Sequence, residues 1–262
     1  MAFQFLTILP VRVRGGVSEK DIAGSAAFFP LVGAVEGLLA LSGAMAALKL
    51  FSPEIAAGIV VLILMITNRG FHIDGLSDTF DALSVKSSGD AGADRQRRLS
   101  VMKDSRAGAA GVSAVVMAVL LKYLFISHLL KTLPPHAAYS ALFLMPVFSK
   151  WAMVSAMHRG VSARKDGLGR LFIENTGPGT VAFSSLLVLL FCLLSAGLSI
   201  RGLKGAELFF LMSVLLYVFS RAASMLFKQR FGGLTGDNFG AIGEMSEIIF
   251  LAGASIWLQH FI

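Results

Sequence analysis

Long apolar runs bounded by short charged segments dominate the chain, and their length is that of a membrane crossing rather than of a soluble core helix. About 20 apolar residues carry a helix across a bilayer. Seven such stretches run roughly from Ala23 to Leu48, Ile55 to Asn68, Ala107 to Leu130, Ala137 to Met157, Val181 to Ile200, Leu208 to Phe227 and Ile242 to Phe261. The fifth is the clearest, with no charged residue between Thr180 and Ile200, whereas the second is short and the last carries Glu244 and Glu247. The pattern predicts an all-α, polytopic helical bundle of about seven transmembrane helices, forming a single domain over residues 1–262. Phe3 to Val11 is a brief apolar stretch broken by Pro10, which reads as an interfacial segment rather than a cleaved signal peptide.

Composition agrees with lipid as the solvent: 55% of the 262 residues are hydrophobic, 15% are charged and the mean hydropathy is +0.74. Charge sets the orientation. With an internal N-terminus, segments 1–22, 69–106, 158–180 and 221–241 hold 17 Lys and Arg, including Arg12, Arg14 and Lys20. Only Lys49, Lys131, Arg201 and Lys204 fall on the other side, and Lys122 and Lys150 lie within spans. That asymmetry predicts a multi-pass protein of a bacterial-type cytoplasmic (inner) membrane whose longer, polar segments, and hence its chemistry, face the cytoplasm. It also accounts for the net charge of +7 without a nucleic-acid partner, since no base-stacking motif is present. Membrane lipid is the expected surrounding, and a homo-oligomer is compatible with the sequence. The lone Cys192 lies mid-span and reads as a packing residue.

Three polar constellations carry candidate chemistry. In His72-Ile73-Asp74-Gly75-Leu76-Ser77-Asp78-Thr79-Phe80-Asp81, the three aspartates are spaced i, i+4, i+7, within roughly 60° of one another on a helix. Crowded carboxylates repel unless neutralised, and a hard divalent cation such as Mg²⁺ or Mn²⁺ is the usual remedy; pairing with Arg69 or Arg95 is the plain alternative. In the second, Arg97-Arg98-Leu99-Ser100-Val101-Met102-Lys103-Asp104-Ser105-Arg106-Ala107-Gly108, the basic side chains suit phosphate oxygens, Asp104 or Ser105 is placed to cap the next helix, and Gly108 and Gly111 permit close approach. The third runs from Gly232 to Glu247. Its glycines suit a tight turn, Asp237 is a natural helix cap, and Asp237, Glu244 and Glu247 return to one side of a helix unless that helix begins only near Ile248. Glu36 is an intramembrane carboxylate and hence a further candidate. His72 ranks below the aspartates, and the segment from His158 to Thr176, with Arg159, Arg164, Lys165, Asp166 and Arg170, reads either as a substrate-contacting loop or as a connector.

Carboxylates able to bind metal, beside arginines at a cytoplasmic boundary, are equipment for phosphoryl transfer. The logic parallels the CDP-alcohol phosphotransferases, but their Asp-Gly-x-x-Ala-Arg core is missing, since Asp78-Thr79 stand where Ala-Arg would come. A divalent-cation transporter is the competing class; its binding groups would be expected near the bilayer midplane. A purely structural subunit leaves the acidic clusters unexplained.

The same residues resemble the cobalamin synthase family, also called adenosylcobinamide-GDP ribazoletransferases. The resemblance rests on Phe5-Leu6-Thr7 with Leu9-Pro10-Val11, Phe29-Pro30-Leu31-Val32-Gly33, His72 with Asp74-Gly75-Leu76 and Asp78-Thr79, Met102-Lys103-Asp104-Ser105-Arg106, and Gly232-Gly233-Leu234-Thr235-Gly236-Asp237 with Gly240-Ala241 and Glu244, which together span almost the whole chain. Ile8, Ala82 and Ala107 depart from the residues common there. The resemblance implies a Mg²⁺-dependent transferase of the last steps of cobalamin biosynthesis. It would join adenosylcobinamide-GDP to α-ribazole or its 5′-phosphate, form adenosylcobalamin or its 5′-phosphate, and release GMP. Carried onto this sequence, the expected metal ligands are Asp74, Asp78, Asp81, Asp237 and Glu244. The expected catalytic acids are Asp78, Asp81 and Asp104, and the expected phosphate and substrate contacts are Arg97, Arg98, Lys103, Ser105, Arg106, Thr235 and Gly236.

Overall fold

In a computed structural model the chain forms a bundle of helices, described here for residues 1–10, 18–199 and 203–261. In chain order these are α1 (Ala2–Leu6), α2 (Glu19–Gly24), a 3₁₀ turn (Ser25–Phe28), α3 (Phe29–Ala47), α4 (Pro53–Thr67), α5 (Phe71–Ser84), α6 (Ala91–Val101), α7 (Ala109–Thr132), α8 (Pro135–Met157), α9 (Leu168–Asn175), α10 (Pro178–Ser199), α11 (Leu203–Phe231) and α12 (Gly236–Phe261). Val11, Arg12, Arg14, Ile200 and Arg201, which entered the orientation and family readings, lie outside the described residues.

Among the described residues, six helices are long and apolar enough to cross a membrane: α3 with its 3₁₀ lead-in, α7, α8, α10, α11 and α12. The short second run supplies a seventh crossing in broken form, because α4 and α5 meet at an 86° bend. Arg69 and Gly70 make that bend in the left-handed region, at φ 57° and 71°. The Asn68 side chain supports it by accepting the Gly70 N–H at 3.0 Å. We read α4 as the crossing and α5 as lying across the end of the bundle.

The central helix is α8. Of its most apolar window 94% is buried, against 22% for α7 and α10, so the latter two face lipid. Leu186, Leu190 and Leu193 of α10 are accordingly exposed, as a bilayer permits. Gly33 and Gly37, four residues apart on α3, lie so close to the backbone of Phe143 and Pro146 on α8 that a Cβ at either position would collide with it. This is the small-residue contact by which membrane helices pack.

Charges buried in the bundle are paired. The Lys150 ammonium on α8 donates to Glu36 of α3 at 2.5 Å, with both side chains at most 1% exposed. Lys122 of α7 bridges Glu244 at 2.7 Å and also contacts Glu247, both on α12. A carboxylate or ammonium left alone in hydrocarbon is costly, and pairing is what makes these positions tolerable.

Candidate active site

The polar connections 68–71, 85–108, 158–177 and 232–236 gather at one end of the bundle, and α5 lies among them. The turn between α11 and α12 is held from outside. Val161 accepts the Leu234 N–H at 2.7 Å and Ala163 donates back to Leu234 at 2.9 Å, a two-bond parallel bridge between this turn and the α8–α9 connection. Gly233 has to be glycine here, since a Cβ would stand 2.6 Å from the Ala163 nitrogen. The bridge carries the segment 158–176 to the turn at Leu234.

The start of α12 is capped reciprocally. Thr235 accepts the Asn238 N–H at 3.4 Å, and Asn238 accepts the Thr235 N–H at 2.9 Å through its side chain, a capping box with asparagine in the glutamate position. Asn238 also donates to Thr79 of α5 at 3.0 Å, locking the two helices together. The cap is therefore Thr235 and not Asp237. With the capping role filled, the Asp237 carboxylate instead meets the Arg164 guanidinium at 3.1 Å and the Thr235 hydroxyl at 3.2 Å. The helix begins at Gly236, well before Ile248.

Opposite this turn, Gly75 of α5 lies so near Asp237 that a Cβ would stand 2.5 Å from its carbonyl oxygen. The contact brings the Asp74–Asp78 face of α5 up to Asp237. Asp78 is half-buried, and its carboxyl is pushed up to about 6, first by burial, then by the negative charge of Asp74, Asp237 and Asp81, with Arg164 pulling the other way. Three carboxylates from two elements thus share one end of the bundle under net negative potential, which suits a hard cation with oxygen ligands. Among the described residues, no group of three or more His, Cys, Asp or Glu side chains is already arranged to hold a metal ion, so substrate or water oxygens would have to complete any such site.

The other expected residues divide. Asp81 accepts the N–H groups of Gly108 and Gly111, each at 2.7 Å, and so caps α7 from across the helix interface. The cap expected from Asp104 or Ser105 is instead this one, because Gly108 at the helix start has no side chain to offer. Both Asp81 oxygens are engaged. Asp104 binds Arg106 through both carboxylate oxygens, at 3.0 and 2.7 Å, which holds its carboxyl down to about 2 and makes it a weak base. Arg98 is buried and donates to the carbonyls of Val85 and Arg230, each at 3.3 Å, tying α6 to α5 and α11. Arg97, Lys103, Ser105 and Arg106 are exposed, and Met102 brings their segment against the Thr235 hydroxyl at 3.9 Å. Glu244 follows Asp237 by seven residues, about 10 Å further along the helix axis, and belongs to the Lys122 pair. Gly236 is exposed beside Asp237.

Next to the carboxylates a cavity of about 370 Å³ opens between α1, α3, α5, α8 and the start of α12. Phe5, Phe29, Met153, Met157 and Phe239 form its apolar wall, and Arg69, Asp74 and Asp237 its polar one. Arg164 belongs to the segment that the sequence left open between a substrate-contacting loop and a connector, and the α1 contribution, Phe5 with Leu6, falls on the first of the resemblance motifs.

A family model described as "Cobalamin-5-phosphate synthase" matches residues 1–255. The chain belongs to the cobalamin-5-phosphate synthase family. Curated relatives agree over essentially full length. A protein of Thermodesulfovibrio yellowstonii named adenosylcobinamide-GDP ribazoletransferase is 35% identical over 99% of this chain and 98% of its own. Proteins of the same name from Caldanaerobacter subterraneus and Geotalea daltonii are 34% and 35% identical, covering 95% and 96% of this chain and 94% of each relative. No solved structure matches. The match to the cobalamin-5-phosphate synthase family covers all the helices that bring Asp74, Asp78, Asp237 and Arg164 together.

Proposed function

We infer that this chain is an adenosylcobinamide-GDP ribazoletransferase of a bacterial cytoplasmic membrane, acting in cobalamin biosynthesis with its site toward the cytoplasm. The orientation rests on the 17 to 4 distribution of Lys and Arg between the two sides. The observation that carries the chemistry is the gathering of Asp74, Asp78 and Asp237 opposite Arg164, with Met102, next to exposed Lys103, against Thr235 of the same turn.

A hydroxyl oxygen of α-ribazole, or of its 5′-phosphate, forms a bond to the phosphorus that carries the cobinamide. The phosphoanhydride bond to GMP breaks, and GMP leaves with the bonding electrons. Asp78 takes the proton from the attacking hydroxyl; a carboxyl lifted to about 6 is far better matched to that task near neutrality than one near its ordinary value of 3.8. Asp74 and Asp237 would hold Mg²⁺, or Mn²⁺ in its place. When bound, the cation would supply charge neutralisation for the diphosphate. Arg164 orients Asp237, and the exposed basic side chains of 97–106 attract and position the phosphates. Glu36 and Glu247, intramembrane acids that would also suit an ion path, contact Lys150 and Lys122, which counts against transport.

The test is GMP release by the purified protein in liposomes, given adenosylcobinamide-GDP and α-ribazole 5′-phosphate. Release that needs both substrates and stops with EDTA supports the reading and its metal. Undiminished release in EDTA removes the metal, and no release under any divalent cation removes the reaction.

A further inference from the structure

Arg69 occupies a backbone position that favours glycine. Helix α4 closes in a turn where the Arg69 N–H donates to the Ile66 carbonyl at 3.0 Å and the Gly70 N–H reaches back to Met65 at 2.9 Å. In this pair of bonds the residue just past the helix end is left-handed, here Arg69 at φ 57°, and a side chain in that conformation is strained. The Ile8 N–H donates to Thr67 at 2.9 Å and the Asn68 side chain accepts from Gly70, so the turn is held on both sides of the strained residue.

Nothing within the protein uses the side chain placed there. Arg69 is exposed and makes no hydrogen bond or ion pair among the described residues, so the pairing with the α5 aspartates that the sequence allowed is not formed. It lines the cavity of about 370 Å³ together with Asp74 and Asp237, and among the described residues it is the only Lys or Arg in that wall. An unpaired guanidinium kept in a strained turn beside a cavity suits an anion from outside the chain, and phosphate is the anion its planar fork fits best.

The proposed reaction brings two such groups, the diphosphate of the cobinamide nucleotide and the 5′-phosphate of the ribazole. The remaining walls separate them. Phe5, Phe29, Phe239, Met153 and Met157 make the cavity apolar, so the polar edge of guanine would lose its hydrogen-bond partners there, and a corrin macrocycle exceeds the space. Building on the ribazoletransferase reading, we propose that Arg69 binds the 5′-phosphate of α-ribazole 5′-phosphate and sets a preference for this acceptor over free α-ribazole. Arg69 is on this account a specificity-determining residue, apart from the bond that forms and the bond that breaks. The same Arg-Gly step ends α8 at Arg159, with φ 56°, but Arg159 does not line the cavity and so provides the control.

The experiment measures GMP release at saturating adenosylcobinamide-GDP with either acceptor, for wild type, Arg69→Gly, Arg69→Lys and Arg159→Gly. Wild type is expected to show a kcat/KM at least about tenfold higher for the phosphorylated acceptor, as for a hydrogen bond to a charged group. Arg69→Gly relieves the strained turn and should keep or raise the thermal midpoint, while the ratio falls to near one through a higher KM for the phosphorylated acceptor. Arg69→Lys keeps part of the ratio and Arg159→Gly keeps all of it. Equal values for the two acceptors in wild type overturn the proposal even if Arg69→Gly does not fold. A ratio that survives in Arg69→Gly also overturns it, as does one lost equally in Arg159→Gly. A raised KM for adenosylcobinamide-GDP alone would place Arg69 on the diphosphate and overturn it too. Absence of GMP release by wild type with either acceptor is a different failure, of the transferase reading itself.

Discussion

The molecule treats carboxylates in two opposite ways. In the middle of the bundle Glu36, Glu244 and Glu247 each meet an ammonium, Lys150 or Lys122, and all five side chains are buried. At the polar end Asp74, Asp78 and Asp237 come together with Arg164 on Asp237, and burial first, then the repulsion of the neighbouring carboxylates, lifts Asp78 to about 6. In hydrocarbon an unmatched charge is too costly to keep, so the inner groups are paired and quiet. At the edge an unmatched set is tolerable because water reaches it, and that residual charge is what suits the end to chemistry.

The largest expected effect is on turnover. Asp78→Asn should lower GMP release by about 10²–10⁴-fold, the range for losing a general base, while leaving the protein folded in detergent. Next comes the opposite case: Lys122→Met leaves Glu244 and Glu247 together without their cation, and breaking a buried pair by removing one partner costs about 3–5 kcal/mol. The measurable result is a sharp fall in thermal midpoint or failure to accumulate in the membrane. A smaller effect is expected for Arg164→Leu, which removes the cation from Asp237; the concentration of Mg²⁺ needed for half-maximal activity should shift by about tenfold or less, since a partly exposed pair is weakly coupled.

The smallest effect separates the two regions by pH. The Asp78 carboxyl stands near 6 in the folded protein against an ordinary 3.8, so the folded chain holds this proton more tightly than the unfolded one. That contribution is fully present below about 3.8 and is lost as pH rises through about 6. In metal-free detergent the thermal midpoint should therefore decline over that window, and Asp78→Asn should flatten the decline and raise the midpoint at neutral pH by a few degrees. A neutral-pH loss of stability in Asp78→Asn would contradict the repulsion argument.

Much of the fold is legible in the sequence because hydrocarbon imposes a single rule: α10 was placed by the absence of charge from Thr180 to Ile200, and α8 by an apolar run ending at Met157. The break at Arg69–Gly70 was not legible, since a left-handed bend within a polar segment leaves no hydropathy signal. In the site, helical spacing correctly put Asp74, Asp78 and Asp81 on one face but could not say what lies opposite each. Asp74 and Asp78 face the turn at Asp237, while Asp81, a further turn along, faces the start of α7 and serves as its cap. Spacing likewise aligned Asp237 with Glu244 without showing that the helix carries Glu244 down to Lys122. Arg164 was named in the sequence within an undecided segment, and only the tertiary contact shows that it meets Asp237.

The most direct test of the division between quiet and working carboxylates measures GMP release by two folded variants side by side. Glu36→Leu/Lys150→Met removes a buried pair together, an exchange that is often neutral or stabilising, and should retain activity within about threefold of wild type. Asp78→Asn, with an equal or higher thermal midpoint, should lose it. An inactive but folded double variant, or an active Asp78→Asn, would contradict the account.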